Sequence, residues 1–217
     1  MHTLIISGGT IDTDFALDLL KKEKYDHIIG VDGALKFCKE QNIVPTRIVG
    51  DFDTLAPEIL TWYQTNTQIE IRQFNPVKDA TDTQIAIELA MELGSRKITL
   101  VGGTGTRLDH VLGNIQTLYL PFAKGIDCRI VDAHNRIRLV SGELHLKMTE
   151  QWGKYVSLIP FTTDVEGVDL IGFKYPLEKF NFTVLGTGSR GVSNEIAEEE
   201  AVIRIEKGIM ILVESKD

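Results

Sequence analysis

The acidic residues of this chain fall at spacings that suit coordination chemistry better than turn formation. Asp51 and Asp53 lie one residue apart, directly after the run Arg47-Ile48-Val49-Gly50. Asp79 and Asp82 belong to the segment Lys78-Asp79-Ala80-Thr81-Asp82. Asp32 precedes Gly33, and Asp109-His110 follows the stretch Gly102-Gly103-Thr104-Gly105-Thr106-Arg107-Leu108. Taken singly, each has an ordinary explanation: Asp82 as an acid at a helix start, Asp53 as a turn former, the glycines as a tight turn. Taken together, they crowd like charges that repel and raise one another's pKa unless a cation sits among them. The set is rich in carboxylates and has no His/Cys cluster, so it suits Mg2+ rather than zinc. His27, His134 and His145 are scattered on or beside strands and read as structural. Mg2+ commonly works with phosphates. The glycine turn before Arg107 offers backbone N–H groups, a helix N-terminus and a guanidinium, and Lys78 a second positive charge, which together suit a polyphosphate. No G-x-x-x-x-G-K-[ST] loop is present, and Leu108 stands at the third glycine position of a G-x-G-x-x-G pattern, so neither familiar phosphate motif applies.

The elements that must position these residues follow from the apolar pattern. Strand-like runs at 3–6, 27–31, 47–49, 69–74, 97–101 and 127–131 alternate with helix-like segments at 14–22, 34–41, 57–64, 83–93 and 108–120. In the clearest helix Ile85, Ala86, Leu89, Ala90 and Leu93 recur at helical spacing. Thr81-Asp82-Thr83-Gln84 fits a capping box ahead of it, and Gly94 ends it. Such alternation implies βαβ units and a mostly parallel sheet, whose ligands bind outside the carboxyl ends of the strands. Those ends are followed by Gly8-Gly9, Asp32-Gly33, Gly50-Asp51-Phe52-Asp53, Lys78–Asp82 and Gly102–His110, so all five loops are expected on one side. Phe52 is expected to point into packing while Asp51 and Asp53 point to the site. After Asp132 the runs at 136–140, 144–148, 155–160, 168–173, 182–185, 201–206 and 209–214 read as short strands, with Lys207-Gly208 as a hairpin turn. The fold class is therefore α/β, with a mostly parallel N-terminal nucleotide-binding domain (residues 1–134) followed by an all-β sandwich (residues 135–217).

Bulk properties narrow the partners. The chain has 217 residues, 43% hydrophobic and 25% charged, enough for a sizeable core. A net charge of −8 without a Lys/Arg-rich run argues against nucleic acid and anionic membranes. Cys38 and Cys128 form no C-x-x-C pair and read as reduced core thiols. No secretory signal pattern and no apolar segment of membrane length is evident, so the cytoplasm is the default expectation.

At the level of motifs the sequence resembles the thiamine pyrophosphokinase family. The resemblance rests on Gly50-Asp51-Phe52-Asp53-Thr54, on Lys78-Asp79-Ala80-Thr81-Asp82, and on Gly102–His110 with Asn114. It continues through Ser157-Leu158-Ile159-Pro160 and Gly191-Val192-Ser193-Asn194-Glu195, in family order along nearly the whole chain. Two positions depart from the family's usual residues: Ala34 stands where a second glycine often follows Asp32-Gly33, and Thr54 where a serine often follows Asp53. The resemblance implies transfer of the diphosphoryl group of ATP to the hydroxyl of thiamine, giving AMP and thiamine diphosphate. It also implies a homodimer with thiamine bound where the α/β domain of one chain meets the sandwich of the other. On that basis Asp51, Asp53, Asp79 and Asp82 are expected to hold Mg2+, and Asp51 or Asp79 to accept the hydroxyl proton. Arg107 and Lys78 would bind phosphates. Asp32, Gly33, Thr81, Gly103, Asp109, His110 and Asn114 would shape the nucleotide site. Ser193 and Asn194 would bind the aminopyrimidine, and Trp152 either stacks on a ring or fills the sandwich. Two other readings compete. One is a phosphatase of the haloacid-dehalogenase type, suggested by Asp51-Phe52-Asp53-Thr54 but lacking the residue normally found between the second Asp and the Thr. The other is a non-catalytic nucleotide- or thiamine-binding regulator.

Overall fold

The computed structural model describes residues 1–53, 55–74 and 80–217, so Thr54, Lys78 and Asp79 lie outside the described residues. The chain divides into two compact units, Met1–Ala133 and His134–Asp217.

In the first unit β1 (His2–Ile6), β2 (His27–Val31), β3 (Arg47–Gly50), β4 (Glu70–Gln73), β5 (Lys97–Val101) and β6 (Asp127–Val131) form one parallel sheet in the order β4-β3-β2-β1-β5-β6. The central strands carry continuous apolar runs because helices cover both faces of such a sheet. Leu4, Ile5, Ile6, Ile98 and Leu100 are essentially inaccessible. From β1 the chain steps outward to β4; α4 (Asp82–Glu92) then returns it to β5 on the other side of β1. The strand order therefore reverses between β1 and β5, which is where an open parallel sheet opens a crevice.

The helices follow their local signals, with two differences. The α1 helix (Thr13–Lys22) is capped by Asp12, whose carboxylate accepts the Phe15 N–H at 2.8 Å. α2 spans Ala34–Glu40, and α3 (Pro57–Asn66) starts with its proline. Thr81 caps α4 by accepting the Gln84 N–H at 3.2 Å, but the Gln84 amide donates forward to Glu88 at 2.9 Å. Only half of the expected capping box forms. The helix expected over 108–120 splits into α5 (Leu108–Thr117) and α6 (Tyr119–Phe122). Pro121 is the cause: it has no N–H to return to the Thr117 carbonyl.

The second unit is built on β7 (Asn135–Lys147) and β12 (Glu200–Ser215), which pair antiparallel from Asn135↔Ser215 to Lys147↔Glu200. Each was expected as two short strands. Lys207-Gly208, expected as a hairpin turn, instead lies inside β12 at a register shift between Ile205 and Met210. Gly208 takes φ +102° and Gly142, opposite Ile205, takes φ +67°. The two left-handed glycines let both strands bend together instead of reversing. Beyond the bend the halves of β12 acquire different partners: residues 202–207 pair with β9 (Asp164–Ile171), and residues 210–215 with β8 (Tyr155–Pro160). β10 (Leu177–Thr183) extends one sheet from β9, and β11 (Asn194–Glu195) the other from β8. Val156, Leu158, Val165, Val168, Leu170, Phe182, Ile203, Met210 and Leu212 pack into one core between them, giving the expected sandwich. At one end Arg136 forms a bidentate pair with the buried Glu214 and lies 5.4 Å from the Trp152 ring, so the indole is packed within this unit. Both cysteines are buried and free, and among the described residues no helix is long and apolar enough to cross a membrane.

Candidate active site

The loops after β1 and β5 are stitched together at the reversal point. Ser7 N–H donates to the Val101 carbonyl (2.9 Å), Gly9 N–H to that of Gly102 (2.9 Å) and Thr10 N–H to that of Thr104 (2.8 Å). The backbones come so close that a Cβ on Gly9 would strike the carbonyls of Thr104 and Gly102. One on Gly102, whose φ is +71°, would strike that of Ser7. Asn114, buried on α5, donates its amide to the Gly103 carbonyl at 2.8 Å. The carbonyls of Gly102, Gly103 and Thr104 are thus all engaged by the protein. Because the C=O of one residue and the N–H of the next point opposite ways across a planar trans peptide, the N–H groups of residues 103–105 face away from those partners. N–H groups left on the far side of engaged carbonyls, beside a helix N-terminus, are groups an anion can use.

A cleft of about 600 Å³ opens over this turn, lined by Gly8, Gly9 and Thr10 on one loop and by Gly102–Arg107 on the other. Asp32, Asp51, Thr81, Asp82, His110 and Asn114 complete much of its wall. All five loops expected on one side therefore contribute described residues to one cleft.

The acids gather at the β2–β3 side. Asp32, Asp51 and Asp53 each offer an oxygen, and the three atoms lie within 4.8 Å of one another. Asp32 was expected beside the nucleotide; its place beside Asp51 follows from the adjacency of β2 and β3. Its N–H donates to the Val49 carbonyl at 2.9 Å, and it sits at φ +42°, a conformation Asp tolerates better than most residues. Asp51 lines the cleft and Phe52 packs inward, though not through strand alternation, while Asp53 joins the other two acids without lining the cleft. Strand β3 has already ended, and Phe52 takes a left-handed φ of +62° that turns its ring onto Leu35, Ile48, Leu55, Ile59 and Tyr63. The Asp53 N–H folds back to the Asp51 carboxylate at 3.2 Å. Asp82 lines the cleft from the first turn of α4 and stands outside this threesome.

At the other rim Arg107 precedes α5 and makes two hydrogen bonds to Asp109, at 2.7 and 3.3 Å. Both side chains are exposed. The Arg107 bond holds the Asp109 carboxyl below its usual range, and Asp109 raises the guanidinium in turn. Asp109 pairs with Arg107 and Gly33 immediately precedes α2; neither is among the residues that line the cleft. Ala34, one of the two departures from the family pattern, is buried at the start of α2. Several lining residues carried no expectation. Ser7 and Thr83, both buried, share a hydroxyl hydrogen bond of 2.7 Å that pins the start of α4 to β1. Thr104 donates to Asp132 at 2.8 Å. The rule that picked out the other loops would also have found Asp132, which follows the sixth strand.

Ser193 and Asn194 lie in the second unit. Ser193 is exposed, at φ +60°, with its N–H donating to the Ser157 hydroxyl at 2.9 Å. Asn194 is buried, and its amide bonds both backbone groups of Tyr175 (3.0 Å from N–H, 2.8 Å to C=O). It therefore shapes the loop that presents Ser193.

The fold and cleft define an α/β protein with its ligand crevice at the switch point of a parallel sheet, carrying a β-sandwich as second unit. Residues 16–130 match the family model described as the thiamin pyrophosphokinase catalytic domain, and residues 142–210 that of the thiamin pyrophosphokinase vitamin B1 binding domain. The chain belongs to the thiamine pyrophosphokinase family. It is 34% identical over 195 residues to thiamine pyrophosphokinase of Bacillus subtilis, covering 87% of each chain. It resembles a crystal structure of thiamine pyrophosphokinase from Bacillus subtilis with a TM-score of 0.86 at 30% identity, with complete coverage of both chains. The yeast thiamin pyrophosphokinase structure, at 16% identity, shares the fold with a TM-score of 0.81 over 99% of this chain and 86% of that one. The phosphatase and regulator readings gain no support from these matches.

Proposed function

We propose that this protein is a thiamine diphosphokinase, transferring the diphosphoryl group of ATP to the hydroxyl of thiamine. The observation that carries the reading is one cleft with a glycine turn, its carbonyls engaged by the protein, at one rim and converging carboxylates at the other. Diphosphoryl transfer needs alignment and charge neutralisation more than covalent chemistry. The donor set is all carboxylate and suits a hard cation. Asp32, Asp51 and Asp53 would hold Mg2+, with Asp82 and Asp79 completing the set, directly or through water. Bound there, Mg2+ would neutralise phosphate oxygens.

The 103–105 N–H groups and Arg107 would bind the polyphosphate, with Lys78 adding a second charge. The thiamine hydroxyl oxygen attacks the β-phosphorus, the bond from that phosphorus to the bridging α–β oxygen breaks, and AMP leaves with the oxygen. A carboxylate, Asp51 or Asp79, takes the hydroxyl proton. Thiamine carries a permanent positive charge, which an acidic cleft attracts. The second unit would bind its aminopyrimidine through Ser193, with Asn194 positioning that loop, and would join two copies so that each site forms between subunits. Two free buried thiols fit a reducing cytoplasm.

The test is incubation with ATP, Mg2+ and thiamine, with AMP separated from ADP. AMP formed in step with thiamine diphosphate supports the proposal. ADP with thiamine monophosphate, or no nucleotide turnover, refutes it.

A further inference from the structure

Each strand of the parallel sheet ends on the cleft side, and the sixth brings an acid that the mechanism above does not use. Asp132 directly follows β6, and its carboxylate accepts the Thr104 hydroxyl at 2.8 Å. Thr104 is the one residue between Gly102 and Gly105 with a side chain. It lines the cleft, and its carbonyl holds the Thr10 N–H. The turn is therefore anchored at three places: to the β1 loop through Gly9 and Thr10, to α5 through Asn114, and to β6 through Asp132. Only the last anchor is a hydrogen bond to a charged group, the stronger kind.

The need for that anchor follows from the neighbours. Glycines lack the Cβ that confines other residues, so rotation of the peptide groups beside Gly103 and Gly105 is resisted by their carbonyl hydrogen bonds rather than by side chains of their own. One such rotation would turn a carbonyl oxygen toward the cleft in place of an N–H, presenting a negative dipole end where phosphate must lie. A side chain fixed in the middle of the turn opposes it.

We propose that Asp132 is a positioning residue: by holding the Thr104 hydroxyl it keeps the N–H edge of the 103–105 turn toward the cleft and so sets affinity for the polyphosphate of the nucleotide. This rests on the reading that the cleft takes ATP. The negative charge itself is not what a phosphate favours nearby, so the role belongs to the acceptor oxygen.

The experiment measures ATP binding by calorimetry, and KM for ATP and for thiamine, in the full-length chain and in Thr104→Val, Thr104→Ser, Asp132→Ala and Asp132→Asn, with melting temperatures alongside. Thr104→Val and Asp132→Ala are each expected to weaken ATP about tenfold, and the double variant no further, because they cut the same bond. Thr104→Ser and Asp132→Asn retain a donor or acceptor and should recover most of that loss. KM for thiamine should stay within about twofold, since nucleotide binding alone is perturbed. Unchanged ATP affinity in Asp132→Ala, additive losses, equal damage from Asp132→Asn and Asp132→Ala, or a parallel loss of thiamine affinity would each overturn the proposal. If Asp132→Ala does not fold, the comparison of Thr104→Val with Thr104→Ser decides, and wild-type affinity in the valine variant overturns it. An unsubstituted protein that binds no ATP overturns the reading of the cleft itself, a result separable from any effect at Asp132.

Discussion

Two adjacent glycines offer a sharp test of how the cleft is built. Gly8 and Gly9 both follow β1, yet their surroundings differ. An added Cβ on Gly8 meets nothing nearer than the Ala34 nitrogen at 3.9 Å, an ordinary contact. On Gly9 it meets the carbonyls of Thr104 and Gly102, which are backbone and cannot swing aside. Gly9→Ala must therefore part the β1 and β5 loops, breaking the Gly9–Gly102 and Thr10–Thr104 hydrogen bonds. At about 1 kcal/mol net for each, the loss is about 2 kcal/mol. For a chain of this size that lowers the melting temperature by roughly 4–8 °C. The displaced turn should also lower kcat/KM for ATP by about 100-fold, the usual effect of misplacing a binding group by an ångström. Gly8→Ala should leave stability near wild type. Thermal melts and steady-state kinetics on the two variants decide the matter. Equal behaviour of the pair, or a Gly9→Ala protein as stable and as active as wild type, would refute the account of loops held at backbone contact.

Other outcomes follow from the site and its frame. Asp51→Asn should cut turnover by about 100-fold or more while thiamine affinity, read by titration, changes little, because the carboxylate acts on the charge that develops in transfer. Arg107→Ala should raise KM for ATP about 10- to 100-fold, the range for lost charge-assisted hydrogen bonds, and leave the melting temperature unchanged, since the Arg107–Asp109 pair is exposed. His2 is half-buried against Tyr25 and Thr99, and burial first, then Lys97, lowers its pKa from 6.5. The unfolded chain therefore binds a proton that the folded unit resists, and stability should fall as pH drops below about 6.5, an effect that His2→Gln removes in melts taken across that range.

The first unit was largely legible because each strand and helix carries its own periodicity, and the rule for parallel sheets gathered the loops without further help. Its limits are instructive. The approach of Asp32 to Asp51 depends on β2 lying beside β3, and lateral order leaves no mark in a strand's own pattern. Phe52 reads equally well as an extended or a left-handed residue until the Leu35, Ile59 and Tyr63 pocket selects the latter. Lys207-Gly208 carries the same glycine preference whether it reverses the chain or bends a continuing strand. The choice was made by β7, a strand far away in sequence. The Thr104–Asp132 bond joins two loops through side chains and was visible only as a possibility of the rule, not as a contact.

The bend in β12 also bears on how the second unit opens. Its two halves hydrogen-bond to different sheets, and β7 runs beside both. Apart from the outer β9–β10 and β8–β11 rungs, the two sheets share their inner strands and cannot be released separately. Loosening residues 210–215 removes the partner of β8 and of the first half of β7 together, and the strain passes through the bulge to β9. Amide protection in β7, β8, β9 and β12 should consequently decay as one, with a single opening free energy, where an ordinary two-sheet stack could fray layer by layer.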